Sequence, residues 1–291
     1  MTDLLRRFRK HGYAIVPSIG RDPDEPWAFV DELIGIRPEM VERQPIRPFE
    51  GAKSFAGSAA FTPFHTDSQD FFGAPPGLQV MVCRRAAAIG GEIRLLDGWA
   101  LLDRLERTDR ALYEDLGSTP RLHRFYFGDV MRPTVAEARG HFAWTHSPIP
   151  ATDRIGVALA REIDREPVIV LAVRAGETLI VDNHRMLHGR TAFCGTERDF
   201  VRVLAWFAKP LAQHPRHHGA HDGSSLGRLT VVLEMLAGVA PSRLAAREGI
   251  TEAELYEWRN HALSEARAAL DVADRTGKRE LSVPTSGQAV E

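Results

Sequence analysis

The chain has 291 residues, 44% of them hydrophobic and 26% charged, with a formal net charge of −2. This is an ordinary globular balance, enough for one large domain or one domain with a small appendage. It leaves no basic footprint for nucleic acid or an anionic membrane, and no apolar run is long enough to span a bilayer. Cys83 and Cys194, the only two cysteines, are too few for a disulfide framework or a thiolate zinc site, and the charged start "MTDLLRRFRK" has no apolar signal core, so a soluble, cytoplasmic protein is expected.

Along the chain, "LLRRFRKHGYAIVP" predicts a short helix, a stop at Gly12 and a strand from Tyr13 to Val16. Residues 40–62, rich in Pro and Gly, read as loops and short strands. Next comes "PFHTDSQDFF". On an extended strand, His65 and Asp67 at i and i+2 point to one face. An imidazole and a carboxylate so placed can grip one metal ion, or can be a solvated pair; a third ligand from elsewhere decides. Phe71 and Phe72 read as buried packing. "PPGLQVMVCRRAA" predicts a buried strand from Leu78 to Cys83, with Cys83 in the core. "GGEIRLLDG" predicts another strand, whose Asp97-Gly98 leads into a helix over "WALLDRLERTDRALYEDL". Residues 121–150 alternate aromatic and polar residues; His141, Trp144 and His146 read as a surface loop or lid. "EPVIVLAV", "GETLIVDN" and "DFVRVLAWFA" complete the strands. Short, mostly antiparallel strands with one inserted helix imply a mainly β jelly roll with helical decoration.

After Pro210 the pattern changes. The sequence divides into a domain over 1–212, a polar linker at 213–222, an all-helical module at 223–275 and a tail at 276–291. In the module, Gly238 and Gly249 stop two helices and Thr251 with Glu254 forms a capping box for the third. Leu229, Leu233, Leu236, Leu244, Leu255 and Trp258 are its expected core.

"GETLIVDNHRMLHGRTAF" supplies His184 and His188 as candidate third ligands. The paired blocks "FHTD…PPGLQVMVCRRAAAIGGEIRLLDG" and "VDNHRMLHGRTAF…FVRVLAWF" resemble the iron(II)- and 2-oxoglutarate-dependent dioxygenases of the taurine dioxygenase and γ-butyrobetaine hydroxylase type. The resemblance runs from the N-terminus to about Pro210 and implies a double-stranded β-helix (jelly roll) core. It carries His65, Asp67 and His188 onto the iron ligands and leaves His184 at a variable position. It carries Arg202, in "RVL", onto the arginine that pairs with the distal carboxylate of 2-oxoglutarate, with Arg198 as the rival. Arg190 either touches the cosubstrate or braces the turn, and Asn183 either orients a ligand or forms a turn. One departure stands out: Ile93 occupies a position where related enzymes often offer a hydroxyl to the same carboxylate.

Two neutral imidazoles and a carboxylate suit Fe(II) and leave coordination positions open. The resemblance implies that 2-oxoglutarate and O2 take these positions, that succinate and CO2 leave, and that a C–H bond of a small polar, amino-acid-like or carboxylate metabolite is hydroxylated. Asp67 argues against halogenation, for which related enzymes replace this carboxylate by a small residue. Desaturation or epoxidation by the same triad fits equally. The helical module resembles a helix-turn-helix, which keeps a 2-oxoglutarate- or iron-sensing DNA-binding regulator as an alternative. Its third helix, however, sets Glu252, Glu254 and Glu257 against Arg259, a charge that repels phosphate. No nucleic-acid or membrane partner is expected, and the role expected of these helices is protein contact, dimerisation into a homo-oligomer or covering of the active site.

Overall fold

The computed structural model describes residues 3–18, 21–68, 74–126, 128–138, 141–214, 225–248 and 250–276. They fall into two compact units, within Met1–Asp222 and Gly223–Glu291.

The first unit opens with α1 (Asp3–His11), β1 (Tyr13–Pro17), α2 (Pro26–Ile34), β2 (Met40–Ile46) and β3 (Thr62–His65). There follow β4 (Leu78–Arg85), β5 (Ile89–Gly90) and β6 (Ile93–Asp97), then α3 (Gly98–Thr108) and α4 (Arg110–Ser118). The hairpins β7 (Arg121–Phe125)–β8 (Gly128–Arg132) and β9 (Val135–Ala138)–β10 (His141–Trp144) precede α5 (Arg154–Ile163). The unit closes with β11 (Ile169–Leu171), β12 (Glu177–Asp182), β13 (Met186–Arg190), β14 (Phe193–Cys194) and β15 (Asp199–Trp206). Two antiparallel sheets form the jelly roll, in the orders β1-β12-β4-β15-β2 and β11-β6-β13-β3.

Alternation along each strand sorts its side chains between two faces. On β4, Leu78, Val80 and Val82 join Leu5, Phe8, Phe29 and Leu33 of α1 and α2 in one cluster, whereas Met81 and Cys83 face the space between the sheets with Leu95, Leu179, Val181 and Phe200. On β13, Leu187 packs outward with Leu101, Leu105 and Leu159 of α3 and α5, while Met186 turns inward. His188, two residues after Met186, shares its inward face.

The helix expected over 99–116 is broken. Asp109 leaves the helical region (φ −150°, ψ 74°) and its carboxylate accepts from Leu112 N, so it caps a second helix instead of continuing the first. α2 and α5 are helices that the sequence reading did not assign; α2 starts at Pro26 and ends on Gly35, whose φ of 72° is left-handed. Trp144 and His141 are buried, not surface loop, because β10 pairs with β9 and Trp144 joins the helical cluster under the second sheet. Phe71, Phe72, Gly249 and most of the expected linker lie outside the described residues.

The second unit contains α6 (Ser225–Leu236), α7 (Pro241–Glu248) and α8 (Glu252–Thr276). Val231, Leu244 and Leu255 form its core, with Met235, Val239, Ile250 and Trp258 against them. Leu229, Leu233 and Leu236 are exposed, contrary to expectation, because α6 buries the face of Val231 and Met235. The capping box is present: Glu254 N donates to Thr251 Oγ1 at 3.2 Å and Thr251 N to Glu254 Oε2 at 2.8 Å. Among the described residues, no helix is long and apolar enough to cross a membrane.

Gly90 and Gly91, with φ of 74° and 81°, turn the chain from β5 into β6, and a Cβ on Gly90 would overlap the carbonyl oxygen of Ala192. Gly35 has a similar φ but open space around it. We expect Gly90→Ala to cost more than about 2 kcal/mol and to lower the melting midpoint by roughly 5–10 °C, against about 1 kcal/mol for Gly35→Ala. Equal shifts in differential scanning calorimetry would contradict this account of the turn.

Candidate metal centre

Three strands bring the candidate ligands together. β13 lies between β6 and β3, and its register sets His188 directly opposite His65. The two rings lie 4.4 Å apart, centroid to centroid. Asp67 follows β3 by two residues. Its Oδ1 is 3.7 Å from His65 Nε2 and its Oδ2 is 3.7 Å from His188 Nε2, and one ligand atom from each of the three lies within 4.8 Å of the others. Cis ligands of an octahedral ion with bonds of roughly 2.1 Å stand about 3 Å apart, so small side-chain rotations close this set around one ion.

The donors are in the right chemical state. His65 Nδ1 donates to Pro63 O at 2.9 Å, which turns the lone pair of Nε2 toward the site. Burial, then repulsion from His188, pushes the His65 pKa down to about 4, so it is a neutral imidazole at physiological pH. For Asp67, burial is the largest influence and opposes the charge. Arg202 and the two histidines together outweigh it and hold the carboxyl well below the usual carboxylate range.

Asp67 is held on every side. Arg202 Nη1 donates to its Oδ1 at 2.8 Å, and Gln79 Nε2 donates to its Oδ2 at 2.5 Å and lies 3.0 Å from His188 Nε2. Arg202 also donates to Gln44 Oε1, its register partner on β2. Asn183 clamps the backbone: its Oδ1 accepts from Asp67 N at 2.8 Å, and its Nδ2 donates to Asp67 O at 3.1 Å and to Pro76 O at 3.0 Å. Sequence reasoning weighed Asn183 but missed Gln44 and Gln79. The available signal for Gln79 was a lone amide inside the apolar run "LQVMV".

His184 is not part of the cluster. It is buried, pairs through Nε2 with Pro75 O at 2.8 Å and packs edge-on against His141, so it secures the Pro75-Pro76-Gly77 turn.

A cavity of about 80 Å³ adjoins the triad, lined by Thr62, Met81, Ile93, Arg190, Arg198 and Arg202 among others. The three arginines differ. Arg202 is engaged by Asp67 and Gln44. Arg190 donates to Ser58 O at 2.6 Å and Ala60 O at 2.8 Å, bracing the loop before β3. Arg198 is 2% exposed and lies over the rings of Phe200, at 3.9 Å, and Phe193, at 5.5 Å. Among the described residues no carboxylate pairs with it. Burial, then the nearby Arg190, lowers its pKa to about 10, and it stays charged at neutral pH. Ile93 brings no hydroxyl to this cavity, whose lining also includes the buried Thr62.

A larger cavity, about 350 Å³, is lined by Pro63 and Phe64 of the same strand, together with Phe61, Arg94, His123 and His146. Arg94 lies over Phe64 and Phe61, at 4.5 and 5.0 Å, without a carboxylate partner among the described residues. Thr66 N donates to His146 O and His146 N donates to Thr66 Oγ1, both at 3.0 Å, and burial keeps the His146 ring neutral, its pKa about 3.

The family described as "Taurine catabolism dioxygenase TauD, TfdA family" matches residues 2–162 and 157–204. Among curated proteins, mitochondrial trimethyllysine dioxygenase of Gallus gallus is 24% identical over 224 residues, covering 67% of this chain and 53% of that protein. The γ-butyrobetaine dioxygenase of Homo sapiens is 22% identical over 167 residues, covering 46% and 41% respectively. The chain thus spans about half the length of the curated relatives it matches. Of solved structures, an asparagine oxygenase in complex with Fe(II), 3-hydroxyasparagine and succinate superposes with a TM-score of 0.53 at 17% identity, covering 69% of this chain and 77% of that one. PvcB from Pseudomonas aeruginosa gives 0.51 at 18%, covering 72% and 80%. These likenesses establish the jelly-roll fold, and the sequence match establishes the kinship. The chain belongs to the TauD/TfdA family of dioxygenases, whose cofactors are Fe(II) and 2-oxoglutarate.

Proposed function

We propose that the protein is an Fe(II)- and 2-oxoglutarate-dependent oxygenase that hydroxylates a C–H bond of a small polar, amino-acid-like or carboxylate metabolite. The observation that carries this reading is the convergence of two imidazoles and one ionised carboxylate beside a cavity that holds an unpaired buried guanidinium. His65, Asp67 and His188 would hold the ion. When bound, it supplies, with 2-oxoglutarate and O2, the oxidative decarboxylation that yields succinate and CO2 and puts one oxygen atom on the substrate.

The residues divide the remaining work. Arg202 keeps Asp67 ionised and aimed. That engagement leaves Arg198 better suited than Arg202 to receive the distal carboxylate of 2-oxoglutarate: an unpaired buried guanidinium is costly, and an entering carboxylate relieves it. The Thr62 hydroxyl stands in for the one that Ile93 lacks, and Arg190 adds positive charge behind Arg198. The dioxygenases of trimethyllysine and γ-butyrobetaine among the relatives support a substrate of amino-acid-like size. For the C-terminal module we propose protein contact, including self-association, over DNA reading: Glu252 and Glu254 sit in the first turn of α8, where a groove-reading helix needs cations.

Two outcomes test the site. Iron analysis of purified variants should find His188→Ala without stoichiometric iron and His184→Ala with it; the reverse would overturn the ligand assignment. In assays of succinate formation from 2-oxoglutarate, Arg198→Ala should raise the apparent cosubstrate constant roughly 10- to 100-fold, the equivalent of about 1.5–3 kcal/mol for lost charge-assisted bonds. Arg202→Ala should mainly weaken iron retention. A larger cosubstrate effect from Arg202→Ala, with iron retained, would return the carboxylate to Arg202.

A further inference from the structure

Gln79 is the second residue of β4, between Leu78 and Val80, and is 4% exposed. Its neighbours on the inward face, Met81 and Cys83, are core. A carboxamide in such a strand costs stability unless it is hydrogen-bonded, and an apolar residue would fill the space as well. Its amide instead reaches two of the three metal-ligand side chains: Nε2 donates to Asp67 Oδ2 at 2.5 Å and stands 3.0 Å from His188 Nε2.

We propose that Gln79 is a positioning residue for the metal, an inference that rests on reading the triad as an Fe(II) site. Two arguments carry it. First, Arg202 donates to one oxygen of Asp67 and Gln79 to the other. With a donor on each oxygen, the carboxylate cannot turn about its Cβ–Cγ bond without breaking one of them. It therefore offers the ion one fixed oxygen and does not swing into two-oxygen ligation. Second, His188 Nε2 has a single in-plane lone pair, which the amide N–H and an ion cannot share. An ion taking His188 moves the amide off that nitrogen and leaves it on Asp67 alone. Gln79 thus joins the carboxylate and the third ligand in one unit that aims Asp67 as the ion is taken up.

Co(II) is the probe, because its visible absorption reports coordination number without turnover. Gln79→Met and Gln79→Leu keep an apolar filling and remove the donor, and either one suffices if the other does not fold. We expect the unaltered protein to bind one Co(II). Each variant should bind it roughly 10- to 100-fold more weakly, with a changed visible spectrum as Asp67 gains freedom, and with a melting midpoint within roughly 4 °C of the parent. Affinity within about twofold of the parent together with an unchanged spectrum would overturn the proposal. So would a large loss of thermal stability with the parent's spectrum, the mark of a purely structural amide. Failure of the unaltered protein to bind Co(II) would instead overturn the Fe(II) reading on which the proposal rests.

Discussion

The buried negative charge of Asp67 is the constraint around which the first unit is organised. A carboxylate taken out of water between two apolar sheets is strongly disfavoured unless cations and donors surround it. Arg202 reaches it from β15, Gln79 from β4 and Asn183 from the turn after β12, while His65 and His188 flank it from β3 and β13. No single segment can supply this shell. Arg202 and the two histidines outweigh the cost of burial and keep the carboxyl ionised, the state in which it and the two imidazoles would hold a divalent ion.

Register is what brings the shell together. Side chains alternate along a strand, so a slip of one residue in β13 against β3 would take His188 out of the barrel and put Leu187 in its place. The outer faces oppose such slips: Leu187 is locked into the cluster with α3 and α5, and Val201 and Val203 of β15 into the cluster with α1 and α2. The apolar packing outside the barrel therefore specifies the polar geometry inside it. Turns do the same work at the ends. Asp182 Oδ1 accepts from His184 N and Arg185 N, and His184 in turn holds the Pro75-Pro76-Gly77 turn that leads into β4.

The ligand motif was legible because it is local: His65 and Asp67 are two residues apart, and the block around His188 carries its own pattern of Asn, Leu, Gly and Arg. Gln44 and Gln79 were not legible, since each is one amide in a strand and acquires meaning only through tertiary contacts, Gln44 with Arg202 and Gln79 with Asp67 and His188. The two arginines could not be ranked by spacing. The difference between them, that Arg202 is occupied by Asp67 while Arg198, among the described residues, meets aromatic rings and no carboxylate, is a tertiary fact. In the helices, periodicity found α6 but misjudged its buried face, because α7 and α8 select Val231 and Met235 over Leu229 and Leu233. The break at Asp109 followed from a side chain that caps more strongly than its neighbours propagate.

The most direct test of this account is a crystal structure of the Fe(II)- and 2-oxoglutarate-loaded protein grown without oxygen. It should show one ion on His65, Asp67 and His188, Arg202 still bonded to Asp67, and the distal carboxylate of the cosubstrate against Arg198. An ion held by other side chains, or an Arg202 that has left Asp67 for the cosubstrate, would contradict the claim that the charge of Asp67 organises the site.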